Sequence, residues 1–263
     1  MKYSTYFFII ISCAVVFIAC KQKPMDKNTL DFKQKQVVAI TQLLAENPDS
    51  SGLRLILANK LDSIGRYNQA ILQMDTLIAE DSNKYALWLI KANMLVDSGN
   101  MTSAKNDYRK AIAIYPGNEA LVNLAEIFAD AKSDSCLNLA QQFNQENRYY
   151  ATYISGLYAA KIGDTTEAVS FLDSSMLQNH QFVKPYIAKG NMYLTTGNKQ
   201  EALNTFRKGL EIENQNILLL NAVANTYKQL GKDDSAKIYF SKSLSEQPFQ
   251  PKVTEDLKKL NLK

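Results

Sequence analysis

Five glycine–alanine pairs at a fixed offset constrain this chain more than anything else in it: Gly65 with Ala70, Gly99 with Ala104, Gly163 with Ala168, Gly197 with Ala202, and Gly231 with Ala236. Successive pairs are 34, 64, 34 and 34 residues apart, the 64 being one unit of 34 and one of 30. A period of that length marks stacked supersecondary units, none of which buries its apolar face alone. Apolar residues at helical spacing precede each glycine, as Leu57, Ala58 and Leu61 precede Gly65, and glycine suits the left-handed position at which a helix stops. The alanine then falls inside a second amphipathic segment, where a small side chain lets two helices approach closely. The unit is therefore a helical hairpin and the fold class all-α.

The residues between these landmarks resemble the tetratricopeptide repeat, a helical pair of 34 residues with a bulky residue at place 4, small at 8, large at 11, alanine at 20, an aromatic at 24 and often proline at 32. The unit 85–118 supplies Trp88, Ala92, Leu95, Ala104, Tyr108 and Pro116; 183–216 supplies Tyr186, Gly190, Tyr193, Ala202 and Phe206; 217–250 supplies Leu220, Ala224, Tyr227, Ala236, Phe240 and Pro248. Units 51–84 and 149–182 are looser, with Met74 and Leu172 in place of the aromatic. The unit 119–148 departs furthest. Val122, Ala125 and Phe128 keep its first helix in register, Asp130 to Asp134 replace the glycine turn, and Cys136 aligns with the alanine. A shortened turn, a shortened second helix and a change of curvature follow as expectations. The resemblance implies a right-handed superhelix, an α-solenoid of about six hairpins, with 31–50 as an N-terminal capping half-repeat and 251–263 as a C-terminal capping helix.

The N-terminus has a different character. Lys2 gives a positive start, Phe7 to Ile18 is apolar apart from Ser12, and no acidic residue occurs before Asp26. About 20 apolar residues are needed to cross a bilayer as a helix, so this run is a targeting peptide and not a span. Ala19-Cys20 at its end, followed by Lys21-Gln22-Lys23-Pro24, resembles the lipobox of bacterial lipoproteins. That resemblance implies a signal peptide over 1–19, acylation of Cys20, and a lipidated tether over 20–30. Each buried methylene of an acyl chain contributes about 0.8 kcal/mol, so several chains on one cysteine anchor stably. Lys21, where aspartate is associated with inner-membrane retention, implies an outer-membrane lipoprotein facing the periplasm.

Composition excludes more than it assigns. Of three cysteines, Cys13 lies in the targeting peptide and Cys20 is the acylation site, which leaves Cys136 alone and no disulfide framework. The net charge of +4 is mild and the basic residues are interspersed with acidic ones, giving no footprint for nucleic acid. His180 is the single histidine, and no second histidine or cysteine stands at metal-ligand spacing. Phosphate loops, nucleotide fingerprints and nucleophile elbows are absent from the sequence. No catalytic residue, metal or cofactor is expected.

In the resembling family, places 2, 5, 9, 12 and 13 of each first helix face the concave groove. Place 9 gives Asn59, Asn93, Glu126, Leu157, Asn191 and Asn225; place 5 adds Asn123, Tyr153 and Asn221; place 2 of the fourth unit adds Tyr150. A row of amides can bond the main chain of an extended partner, or it can bridge neighbouring helices. Tyr150 and Tyr153 are candidate aromatic anchors. Leu55, Leu89 and Ile187 stand where a clamp for a C-terminal carboxylate needs lysine, so that mode is not expected. The resemblance implies a scaffold that binds a protein or peptide segment of envelope machinery. Self-association through the groove, and capture of a small solute for a transporter, are the rival readings; units of nearly constant length leave little room for the loops the latter needs. Replacing Cys20 with alanine is expected to release the chain from the membrane fraction of its native cells, and unchanged co-sedimentation would refute the anchor.

Overall fold

The computed structural model describes residues 27–262, which hold fourteen α-helices and no strand. The targeting peptide, Cys20 and most of the tether lie outside the described residues. Helix α1 (Lys27–Glu46) packs on α2 (Ser51–Asp62), which pairs with α3 (Tyr67–Glu80). The following hairpins are α4 (Tyr85–Asp97) with α5 (Met101–Ile114), α6 (Asn118–Asp130) with α7 (Ser135–Ala140), and α8 (Arg148–Ile162) with α9 (Thr165–Gln178). Then come α10 (Lys184–Thr195) with α11 (Lys199–Ile212), α12 (Ile217–Gln229) with α13 (Asp233–Glu246), and the single helix α14 (Pro251–Asn261). Each helix packs on the next, and the first helices α6, α8, α10 and α12 also pack on one another in series. The architecture is an α-solenoid.

One slot organises five of the six hairpins. Ala58 faces Met74, Ala92 faces Tyr108, Gly156 faces Leu172, Gly190 faces Phe206 and Ala224 faces Phe240, each large side chain being fully buried or nearly so. The fit is tight: a Cβ on residue 156 would come within 2.8 Å of Leu172 Cγ, and one on residue 190 would collide with the Phe206 ring. Met74 and Leu172 thus occupy the same slot as the aromatics. Ala70, Ala104, Ala168, Ala202 and Ala236 are wholly buried on the second helices, as is Cys136. Between hairpins, Lys91 bonds Asp75 at 2.7 Å, while also reaching Asp107 of its own hairpin at 3.2 Å, and Lys189 pairs with Asp173 at the equivalent junction.

The third hairpin corrects part of the expectation. Its second helix is short, six residues against fourteen in α3, α5, α9, α11 and α13. Its turn, however, is not shortened. In every hairpin an amide just past the first helix reaches back five residues: Arg66 to Leu61, Asn100 to Leu95, Ser133 to Phe128, Asp164 to Ala159, Asn198 to Tyr193, and Lys232 to Tyr227, at 2.8–2.9 Å. This bond requires a left-handed residue just before its donor. Five times that residue is glycine, with φ between 72° and 94°; in the third hairpin it is Lys132, at φ 55°. The turn is conserved in geometry while its usual residue is missing.

Where α7 ends early, a 3-10 turn (Gln145–Asn147) leads into α8, and aromatic side chains occupy the space. Phe182 stands edge-on to Tyr149, Tyr150 and Tyr153 at 5.3, 5.1 and 5.2 Å, and Phe143 lies 5.2 Å from Tyr150. A left-handed residue with a Cβ costs about 1–2 kcal/mol relative to glycine. Lys132→Gly is therefore expected to raise stability by about 1 kcal/mol, read as an upward shift in the urea midpoint.

Candidate partner-binding groove

Stacking of the first helices brings polar side chains from four hairpins into one hydrogen-bonded ladder. Tyr108 donates its hydroxyl to Asn93 Oδ1 at 2.6 Å, and Asn123 Nδ2 donates to the same oxygen at 3.1 Å. Lys184 Nζ bridges Asn123 Oδ1 at 3.0 Å and Glu126 Oε1 at 2.8 Å. The Tyr153 hydroxyl completes the row, donating to Glu126 Oε1 at 2.8 Å. Burial, then the Glu126 carboxylate, holds the Tyr153 phenol well above its usual pKa, so it stays a donor. Lys184 keeps Glu126 paired although both are only partly exposed.

The ladder joins four of the residues expected to line the groove: Asn93, Asn123, Glu126 and Tyr153. Asn93 also donates weakly to Glu119, at 3.5 Å. These side chains have bridged neighbouring helices, and the Tyr153 ring is buried. Tyr150 packs its ring on Tyr149 at 4.2 Å; burial pushes its phenol up to about 12. Asn221 lies apart, donating to Gln250 Oε1 at 2.7 Å while its own Oδ1 is buried without a partner. Asn59 and Asn191 are exposed and Asn225 half-buried, and none of the three has a side-chain partner among the described residues.

Sequence reasoning left Tyr108, Lys184, Asp62 and Asp97 out of the groove. For three of them a signal was available: Asp62, Asp97 and Lys184 stand at places 12, 13 and 2 of their units, positions the same family rule turns inward. Tyr108 carried none, because its place reads as core; its ring is core and only its hydroxyl reaches the ladder.

Charge is unevenly distributed along the groove. Beside the ladder, between α4 and α6, a recess of about 240 Å³ has Asp97, Glu126 and Asp130 on its wall. Asp130 is neutralised by Lys161 at 2.6 Å. Between the first and second hairpins two acids meet instead: burial, and secondarily the Asp97 charge, raise the Asp62 carboxyl to about 6, and burial raises Asp97 as well. Asp62 Oδ1 is buried without a hydrogen-bond partner. Among the described residues no group of three or more His, Cys, Asp or Glu is placed to hold a metal. His180 is exposed at the turn after α9, and Cys136 is a buried thiol whose pKa is raised by burial.

A carboxyl with a raised folded pKa binds its proton more tightly in the folded chain. Its contribution favours folding fully below about 3.8 and is lost as pH rises through about 6. Asp62→Asn is therefore expected to stabilise the chain at pH 7.5 more than at pH 5. Urea midpoints of both forms at the two pH values measure this, and an equal shift at both would remove the claim.

Comparison with known proteins agrees with this architecture. The family model described as tetratricopeptide repeat matches residues 85–118, 183–216 and 219–250. The protein CTR9 homolog of Arabidopsis thaliana is 25% identical over 215 residues, 72% of this chain and 18% of its own length. DnaJ homolog subfamily C member 7 of Mus musculus is 24% identical over 152 residues, 58% of this chain and 26% of its own. The chain thus spans only 18% and 26% of the curated relatives it matches. A solved tetratricopeptide repeat protein from Parabacteroides merdae superposes with a TM-score of 0.63 at 14% identity, covering 90% of this chain and 96% of that one. The slots, the repeated turn and the shared fold together identify stacked helical hairpins forming an α-solenoid, in which residues 85–118, 183–216 and 219–250 are similar to the tetratricopeptide repeat.

Proposed function

We propose that this chain is a lipid-anchored scaffold of the bacterial cell envelope, held to the outer membrane through Cys20 and presenting its concave groove to a protein partner in the periplasm. The tetratricopeptide fold supports a protein-binding scaffold. The anchor and its location rest on the sequence of the first 21 residues. The observation that carries the binding mode is the set of amides left over once the ladder has formed. Asn59, Asn191 and Asn225 project from α2, α10 and α12 with no side-chain partner among the described residues. Each amide offers two donors and an acceptor, the complement of an extended main chain. Asn93 and Asn123, by contrast, are spent within the molecule.

Mild crosslinking in native cells, followed by recovery of the intact lipoprotein and mass spectrometry, identifies the partner. Components of one envelope machine would support the scaffold. Recovery of a transporter alone, or of the chain alone, would replace it with solute capture or self-association. With the partner in hand, Asn59→Ala combined with Asn191→Ala is expected to weaken binding about tenfold to thirtyfold, from two bonds of about 1 kcal/mol each. Helicity and the urea midpoint are expected to stay unchanged. An unaltered Kd would remove the amides from the contact surface.

A further inference from the structure

We propose that Phe249 is a latch that closes the superhelix on itself, by seating its ring on the turn of the first hairpin at Gly65. The two residues are far apart in sequence, one between α2 and α3 and the other between α13 and α14. A Cβ on residue 65 would collide with the Cε1 edge of the Phe249 ring. The other four left-handed glycines, at 99, 163, 197 and 231, have nothing within 4 Å of the same hypothetical atom. Gly65 is therefore required twice, once for its φ of +75° and once as the floor of an aromatic contact.

The segment carrying Phe249 is fixed from beneath. Gln250 Nε2 donates to Ser243 O at 3.0 Å and to Gln247 O at 2.8 Å, and Gln250 Oε1 accepts from Asn221 Nδ2 at 2.7 Å. Pro248 and Pro251 flank the pair and restrict the backbone on both sides. A half-buried phenylalanine is thus held out on a braced loop, pointing at another hairpin and away from its own core. Gly65 lies where a first helix ends, whereas Phe249 lies where a second helix ends. The contact therefore joins the turn within the first hairpin to the loop that follows the sixth.

Placing the photo-reactive residue p-benzoylphenylalanine at position 249 of the full chain tests the contact directly. Irradiation at low concentration is expected to link residue 249 to the 63–69 peptide within one copy. Links confined to 240–262, or found only in crosslinked dimers, would overturn the latch. In parallel, Phe249→Ala is expected to speed amide exchange at Gly65 and Arg66 about tenfold while the α10 and α11 amides are unchanged. Unaltered exchange at Gly65 and Arg66 would equally overturn it. Neither readout needs a partner, so the latch stands or falls apart from the scaffold reading.

Discussion

The separation between the two helices of each hairpin is set by one packing relation, a small residue on the first helix lying under a large one on the second. Gly190 beneath Phe206 shows how little slack remains, since even one carbon added to the glycine meets the ring. Because interiors are packed like crystals, the pair fixes an interhelical distance as well as burying apolar area. Repeating it in five of the six hairpins gives their first helices a common offset from their second helices, and that common offset lets the first helices line one face. The groove is thus a consequence of the core and not an independent feature of the surface. Variation is tolerated within the relation: methionine, leucine, tyrosine and phenylalanine all occupy the large side at Met74, Leu172, Tyr108 and Phe206.

The third hairpin lacks that relation, because four residues after Cys136, where Met74 follows Ala70 and Tyr108 follows Ala104, stands the small Ala140, the last residue of α7. Ala125 is buried as its counterparts are, and shares its cluster with Cys136 and Ala140 in place of a large α7 side chain. Two substitutes appear. Aromatic rings from Phe143, Tyr150, Tyr153 and Phe182 occupy the volume, and the Asn–Lys–Glu–Tyr ladder ties the flanking first helices together. Buried polar networks cost desolvation unless every member is satisfied. Here Glu126 accepts from both Lys184 and Tyr153, so the charge is compensated where it is most enclosed.

The fold was legible because its signals are periodic: glycine and alanine at a fixed offset, with large residues sixteen positions after small ones. Periodicity also misled. Without a glycine near residue 130, the third turn reads as shortened, whereas Lys132 takes up the left-handed conformation that glycine adopts elsewhere. A residue's absence from a motif excludes the cheap solution and leaves the geometry possible at a cost. The groove was legible as a list of places and illegible as chemistry. Nothing in a single sequence says that Asn93 will be consumed by Tyr108 and Asn123, or that Asn59 will stay unbonded among the described residues, because both outcomes depend on which side chain of another helix comes within hydrogen-bond reach.

Lys184 has a consequence for how the molecule responds to load. A solenoid in which each repeat touches only its neighbours behaves as a one-dimensional chain whose units can melt one at a time. Lys184, from the fifth hairpin, bonds Asn123 and Glu126 of the third, passing over the fourth. That adds a second-neighbour term to the chain, so the fourth hairpin cannot detach without breaking bonds among units that flank it. Once the Phe249 contact is broken, a pull applied at either end therefore meets a hinge-like periphery and a cooperative middle: terminal hairpins can peel away and reseat while the central block stays whole and keeps the register from which the ends refold.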